Sequence, residues 1–374
     1  MKILDGIKRY RNLKKILILS HTRAFSDFKI GSHHYANKLA DLGFQVSYSG
    51  VPETIFHKIL KKEIRGPYKL DANVKNAQLS TLFPVTLPSS IFTETLNCRL
   101  LPFYKGNSII LDEYYDVIIC DYPYFYPLIK HLKYFSLIYR PTDDYLAMGG
   151  EKVRAYESRI CIDATKIVPT SEVVSNVIIN RYSIPKNKID TIANGFDADK
   201  FFIKNKNKDR KGAVYIGSLD DRFDFDALKI LAQNNKQEIF DIFGPINKSA
   251  QQRVDELKIL NNVKFHGSVD YDDTNNVLNN YKVGLLLLKN DPSNKGRSPM
   301  KLWEYIACGL NVLYSNIDNI AHVKNTYQYN NENDISVVFN KAIDTSCSIL
   351  DANDSLAINS WEHKVKLLTA YFPE

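Results

Sequence analysis

The sequence predicts an α/β protein made of two doubly wound, Rossmann-like halves. Three observations predict it. Short β-branched runs alternate with helix-like stretches, the alternation comes in two separate series, and a polar, charged stretch divides them. A chain of 374 residues also fits two domains at roughly 100–200 residues each.

In the first series the apolar runs fall at 15–20, 45–49, 116–121, 137–140, 166–169 and 189–192. In the second they fall at 213–217, 239–243, 263–266, 284–288 and 311–314. Helical periodicity is read at 33–42, 173–181, 225–233, 251–259 and 300–308. The strands are short and nearly all apolar, as expected where helices cover both faces of a parallel sheet. The charged stretch at 201–212 sets the expected domains at 1–200 and 201–355. Residues 356–374 read as a C-terminal helical segment packing back on the first domain. The region 52–107 is rich in Lys, Pro and Thr and is expected to form irregular loops. Ligands of doubly wound sheets bind beyond the carboxyl ends of the strands, so functional motifs should follow strands closely.

Composition narrows the function. The formal charge of +7, from 49 basic and 42 acidic residues, is mild. It suits a phosphate-bearing ligand or an anionic membrane surface, and it lacks the aromatic-basic motif of an RNA-binding module, so no nucleic-acid partner is expected. Cys98, Cys120, Cys161, Cys308 and Cys347 are odd in number and form no CxxC pair, which argues for a reducing compartment and against a disulfide framework. No metal-ligand spacing occurs. No apolar run approaches the roughly 20 residues of a membrane span. Lys8, Arg9, Arg11, Lys14 and Lys15 allow peripheral membrane association. The first strand leads into Ser20-His21-Thr22-Arg23 with no GxGxxG turn, which excludes a dinucleotide-dependent dehydrogenase.

The segment Gly296-Arg297-Ser298-Pro299-Met300-Lys301-Leu302-Trp303-Glu304-Tyr305-Ile306-Ala307-Cys308-Gly309 carries the most chemistry. Ser298 suits an N-cap, Pro299 the first helical position, and Gly309 the residue past the helix end. Such a helix start can bind a diphosphate through its open N–H groups and dipole. Lys301 adds a charge there, and Glu304, one turn on, can accept ribose hydroxyls. The alternative is a plain capped helix with a Lys301–Glu304 pair. Gly217, just after a strand, allows close backbone approach to phosphates. Arg222 is a further candidate donor contact or a solvated arginine. Asp224-Phe225-Asp226 matches a DxD metal motif but opens a predicted helix, so no metal is expected.

This segment resembles the Ser-Pro-Xaa-Lys-Xaa-Xaa-Glu-Tyr-Xaa-Ala-Xaa-Gly run of GT-B glycosyltransferases. Asn194-Gly195-Phe196-Asp197, Tyr215-Ile216-Gly217, Asp241-Ile242-Phe243-Gly244-Pro245 and Val263-Lys264-Phe265-His266-Gly267 follow the same order as in that superfamily. In the first half, Ser20-His21-Thr22-Arg23, the run from Gly31 to Ala40, and Gly43-Phe44-Gln45-Val46 resemble the xanthan glucuronosyltransferase family. The resemblance implies a GT-B fold with two domains facing a central cleft. It implies inverting transfer from a UDP-sugar, with glucuronate as the implied sugar, to a glycan or polyprenyl-linked glycan acceptor in polysaccharide biosynthesis. No cofactor is implied, and the implied location is cytoplasmic, including the inner face of the cell membrane. Ser298, Met300, Lys301, Glu304, Gly217 and Arg222 are then donor-binding. Two positions depart from that family: Glu304 stands where it has a glutamine, and Leu287-Leu288-Lys289 replaces a Pro-aromatic pair.

An inverting transfer needs a base for the acceptor hydroxyl. Tyr139-Arg140-Pro141-Thr142-Asp143-Asp144-Tyr145 ends a predicted strand with two carboxylates, in the region where the resemblance places the catalytic aspartate. Asp143 is the first candidate and Asp144 the second; the alternative is that one or both cap the following helix. His34, at the start of the first long helix, is a candidate sugar contact or a packing residue. Asp121-Tyr122-Pro123-Tyr124-Phe125-Tyr126 offers rings for sugar stacking or for the core. A retaining GT-B enzyme, a UDP-sugar 2-epimerase and a non-catalytic nucleotide-sugar-binding protein are the competing readings.

Overall fold

The run Lys-Ile-Leu-Ile-Leu opens the fold as β1 (Lys15–Leu19), with its four apolar side chains buried. It belongs to a computed structural model that describes residues 15–54, 66–87, 91–204, 209–291, 294, 296–317, 320, 322–348 and 352–373. Lys8, Arg9, Arg11, Lys14 and residues 205–208 of the charged stretch lie outside the described residues. The chain divides into one unit of residues 1–193 and 364–374 and a second of residues 194–363. The change of unit thus falls at 193/194, ahead of the charged stretch that suggested residue 201. Residues 194–204 join the second unit because Phe196 and Phe201 are buried in its core.

In the first unit, β1 is followed by α1 (Gly31–Asp41), β2 (Gln45–Ser49) and β3 (Lys75–Asn76). Then come β4 (Tyr114–Cys120), β5 (Lys133–Tyr139), α2 (Tyr145–Gly149), α3 (Arg154–Asp163), β6 (Lys166–Ile167) and α4 (Glu172–Tyr182). The sheet order is β3-β2-β1-β4-β5-β6, all parallel. Since β1 lies between β2 and β4, the winding reverses at the β1/β4 edge, the switch point where such sheets bind ligands. The register Leu19↔Cys120 places Ser20 and His21 beside Asp121 at that edge.

The second unit repeats the plan. Its elements are β7 (Ala213–Ile216), α5 (Phe225–Asn234), β8 (Phe240–Phe243), α6 (Gln251–Leu257), β9 (Val263–Gly267) and β10 (Val283–Leu286). They continue with α7 (Met300–Ala307), β11 (Asn311–Tyr314), β12 (Thr326–Gln328) and α8 (Ile335–Asp344). The order is β9-β8-β7-β10-β11-β12, again parallel, with the switch point at β7/β10. Alternate residues feed two cores: Ala213, Tyr215 and Leu285 one face, Val214, Leu286 and Val312 the other. Burial on both faces explains why these strands read as continuous apolar runs.

The run 189–192 is not a regular strand. It follows β6 through a single bridge, Ile167↔Ile189, and the bonds Asp190 N–H to Ile167 and Ile192 N–H to Pro169. The last helix, α9 (Trp361–Thr369), carries the chain back to the first unit. There Phe372 meets Phe44 edge-on at 5.7 Å and the Tyr371 hydroxyl donates to Asp190 at 2.8 Å.

Candidate active site

The donor-side residues gather at the β7/β10 switch point of the second unit. The chain leaves β10, enters α7 at Met300 and returns in β11 parallel to β10, so the start of α7 lies at the carboxyl end of the sheet. The helix begins one residue later than its sequence suggests. Pro299, with an extended backbone, is the N-cap, and it offers no side-chain cap. Ser298 is used differently: its Oγ accepts from the Asn194 N–H at 2.8 Å, and Asn194 Nδ2 donates to the Ser298 carbonyl at 3.0 Å. Among the described residues no side chain caps the start of α7, and its position is pinned to the segment that enters the unit.

Gly217 ends β7 in a close-packed corner. A Cβ there would lie 2.6 Å from the Tyr215 hydroxyl and 3.0 Å from Lys301 Cε. At the neighbouring corner, a Cβ on Gly244 would lie 1.7 Å from the Gly217 carbonyl oxygen. The two glycines let the ends of β7 and β8 meet, and the Lys301 side chain lies over the first of them. The Tyr305 hydroxyl, fully buried, accepts the Ile216 N–H at 3.0 Å and ties α7 to the end of β7.

Three cations converge here. Burial lowers the Lys301 pKa, Glu304 opposes that, and the charges of Arg297 and Arg222 lower it further. Arg222 is held by Asp220, through Nε at 2.9 Å and through Nη2. Asp220 stays low despite burial because of that pair, with Arg297 adding to it. Arg297 is the residue that sequence reasoning passed over; its signal was its place immediately before Ser298. Met300 is half-buried at the helix start.

Glu304 is 8% exposed, and its carboxyl is pushed up to about 7 by burial, against the pull of Lys301 and with that of Asp197. A carboxyl raised on folding binds more protons in the folded state, so its stability contribution is present below its unfolded pKa and lost as pH rises through the folded value. A rise from 4.5 to about 7 corresponds to about 3 kcal/mol. Glu304→Gln should therefore raise Tm at pH 8 and change it little at pH 5, as read by calorimetry at both.

Asp224 and Asp226 serve structure. Asp224 caps α5 by accepting the Ala227 N–H at 2.9 Å, and Asp226 pairs with Arg253.

The first unit's candidates sit at the ends of β1, β4 and β5. Asp144 is committed to structure. It caps α2 by accepting from Leu146 and Ala147, and it holds the Arg181 guanidinium of α4 at 2.7 and 2.8 Å. Each of its carboxylate oxygens already carries a strong bond, which favours Asp143 over Asp144 as the candidate base. Asp144→Ala should cost about 2–4 kcal/mol, combining a lost cap with a broken part-buried pair. A urea titration would read that loss, while turnover per folded molecule should largely persist.

Asp143 is half-buried and differs from its neighbour: among the described residues its carboxylate accepts from the Thr142 hydroxyl, 3.0 Å from Oδ2, and from no cation. Thr142 Oγ1 also lies 2.8 Å from the Tyr145 hydroxyl, which donates to the Asp121 carbonyl at 2.6 Å. Asp121 itself is buried, 1% exposed. Its carboxylate accepts from Ser20 Oγ at 2.9 Å, the His21 N–H at 2.8 Å, Ser32 Oγ, and His21 Nδ1 at 3.3 Å. Burial raises this carboxyl, but His21 and the hydroxyl donors outweigh it, so it stays below its ordinary value. His21 is correspondingly raised: burial pulls it down, and Asp121, with a smaller effect from Asp143, prevails.

His34 is 1% exposed, packed in the first turns of α1. His33 is held neutral, lowered to about 4 by burial, with Nε2 donating to the Arg23 carbonyl and Nδ1 accepting the Ile30 N–H. Tyr124, Phe125 and Tyr126 are core residues, which leaves only Tyr122 of that aromatic cluster partly exposed.

Residues 196–337 match the family described as "Glycosyl transferases group 1". The chain is 24% identical over 185 residues to the "Putative teichuronic acid biosynthesis glycosyltransferase TuaH" of Bacillus subtilis (strain 168), a match covering 47% of each protein. It thus spans about half the length of the curated relative it matches. Among solved structures, HepE of Anabaena in complex with UDP and glucose superimposes with a TM-score of 0.67 at 14% identity, covering 96% of this chain and 98% of that one. A mutant of TarM from S. aureus, in complex with fondaparinux, alpha-GlcNAc-glycerol and UDP, gives 0.67 at 13% identity, covering 97% and 100%. The fold is GT-B, two Rossmann-like parallel-sheet domains. Among the described residues, no helix is long and apolar enough to cross a membrane.

Proposed function

We propose that the chain transfers a sugar from a UDP-sugar to a hydroxyl of a glycan or polyprenyl-linked glycan, with inversion at the anomeric carbon. The observation that carries this reading is the convergence of Lys301, Arg297 and Arg222 at the start of α7, whose N-cap residue Pro299 makes no side-chain cap, beside Gly217. Helix N–H groups and cations together suit a diphosphate. They stabilise the negative charge that grows on the leaving UDP, so the reaction needs no metal. Glu304 binds the ribose. The match of the second unit to group 1 glycosyl transferases, the TuaH relative and the UDP bound in HepE support the donor class.

Asp143 is the base. It takes the acceptor's proton as that oxygen attacks the anomeric carbon, and the bond to the diphosphate breaks with its electron pair leaving on UDP. Glucuronate is the proposed sugar, on the resemblance to the xanthan glucuronosyltransferase family, and the inner membrane face is the proposed place of work. The test is an assay with labelled UDP-glucuronate and other UDP-sugars, an acceptor panel and a chelator. An inverted product that forms in the presence of the chelator is expected. A retained configuration overturns inversion, and free epimerised UDP-sugar overturns transfer.

A further inference from the structure

The contacts around Asp143 do not balance in protons. Three contacts join four oxygens in a row: Asp143 Oδ2, Thr142 Oγ1, the Tyr145 hydroxyl and the Asp121 carbonyl, at 3.0, 2.8 and 2.6 Å. Each contact needs one proton to be a hydrogen bond. The carbonyl has none to give, and Thr142 and Tyr145 own one each. Burial, reinforced by the charges of Asp121 and Asp143, pushes the Tyr145 phenol well above its usual value, so it keeps its proton. While Asp143 is ionised, the row is therefore one proton short. If Tyr145 donates to the carbonyl and Thr142 to Tyr145, nothing donates to the carboxylate. If Thr142 donates to the carboxylate, one of the other two contacts is empty.

A proton on Asp143 completes the row. The bonds then run from the Asp143 carboxyl to Thr142, from Thr142 to Tyr145, and from Tyr145 to the Asp121 carbonyl, each with one donor and one acceptor. We propose that Thr142 and Tyr145 are positioning residues that stabilise Asp143 after it has taken the acceptor's proton, and so strengthen it as a base. This rests on the role of Asp143 proposed above. In the step itself the acceptor O–H breaks, its proton goes to Asp143 Oδ2, the acceptor oxygen bonds to the anomeric carbon and UDP departs. The gain comes from the Thr142 hydroxyl turning from Asp143 to Tyr145 while the new carboxyl O–H turns to Thr142; Tyr145 already faces the carbonyl, and no heavy atom moves.

The charged and titratable groups around this row are His21 after β1, Asp121 and Tyr122 after β4, Arg140 at the end of β5, and the Asp144–Arg181 pair. None of them is itself replaced in these variants, and Thr142→Val leaves the Tyr145–Asp121 bond in place, so a shift shared by both variants reports on the row. Kinetics of kcat/KM against pH for Thr142→Val and Tyr145→Phe supply the test. The acid limb should move to lower pH, the plateau should fall about three- to tenfold, as one lost neutral hydrogen bond would cause, and UDP affinity should hold. Thr142→Ser should restore both. An acid limb that moves to higher pH means the hydroxyls favour the ionised carboxylate and overturns the proposal, as does a limb that stays in place.

A second arm does not depend on activity. Asp143→Asn supplies a permanent N–H donor to Thr142, so its Tm at pH 8 should exceed that of the wild type, and the gain should vanish in the Thr142→Val background. A Tm that is unchanged or lower overturns the proton count. Full activity of Asp143→Asn would instead remove the base assignment, and the Tm arm would still decide the row.

Discussion

Replacing Asp143 with Asn should lower kcat by about 10²–10⁴-fold, the usual worth of a positioned general base. UDP affinity should stay within about twofold, because no donor-side residue is touched. The prediction separates two adjacent carboxylates that a sequence cannot separate. Asp144 carries the Arg181 fork and the cap of α2, so its loss should appear as instability. Asp143 has a single neutral donor, Thr142, among the bonds described to its carboxylate, which leaves lone pairs for an acceptor proton. Single-turnover assays with saturating donor would read the chemical step directly. Full turnover in both Asp143→Asn and Asp144→Asn would end the case for an aspartate base.

The contrast between these neighbours shows where sequence reading reaches its limit. The strands were legible because parallel strands covered on both faces are largely apolar: Lys15–Leu19, Ala213–Ile216 and Asn311–Tyr314 fall within the runs read as strands. Strand β3, two exposed residues at Lys75–Asn76, carries no such signature and lies inside the stretch 52–107 that reads as irregular loops. Capping chemistry was legible in type but not in place. Ser298 is a good N-cap residue, yet tertiary structure assigns its hydroxyl to Asn194, more than a hundred positions away in sequence, and the helix starts at Met300 instead. Asp143 and Asp144 are alike in sequence, and only the arrival of Arg181 from α4 decides which is occupied. The Thr142–Tyr145 row is further out of reach, since it depends on a carbonyl of Asp121 brought in by strand pairing.

The donor side offers the second large effect. Lys301→Ala should weaken UDP binding by roughly 10–100-fold, from the loss of a charge-assisted contact of about 1.5–3 kcal/mol. The burial that lowers the Lys301 pKa is opposed by Glu304, but Arg297 and Arg222 act in the same direction as burial. The three cations repel one another, Asp220 and Glu304 offset part of that repulsion, and a bound diphosphate relieves more of it. The loss on removing Lys301 should accordingly be partly compensated in the unliganded state: Lys301→Ala should leave Tm unchanged or slightly raised without UDP. With UDP at a fixed concentration, the thermal shift should shrink, since a ligand that binds only the folded state stabilises it by RT ln(1 + [L]/Kd). Raising salt should weaken UDP binding to the wild type more than to Lys301→Ala, because one screened charge has been removed. Isothermal titration at two ionic strengths checks this. Equal affinities in the two proteins would place the diphosphate away from α7.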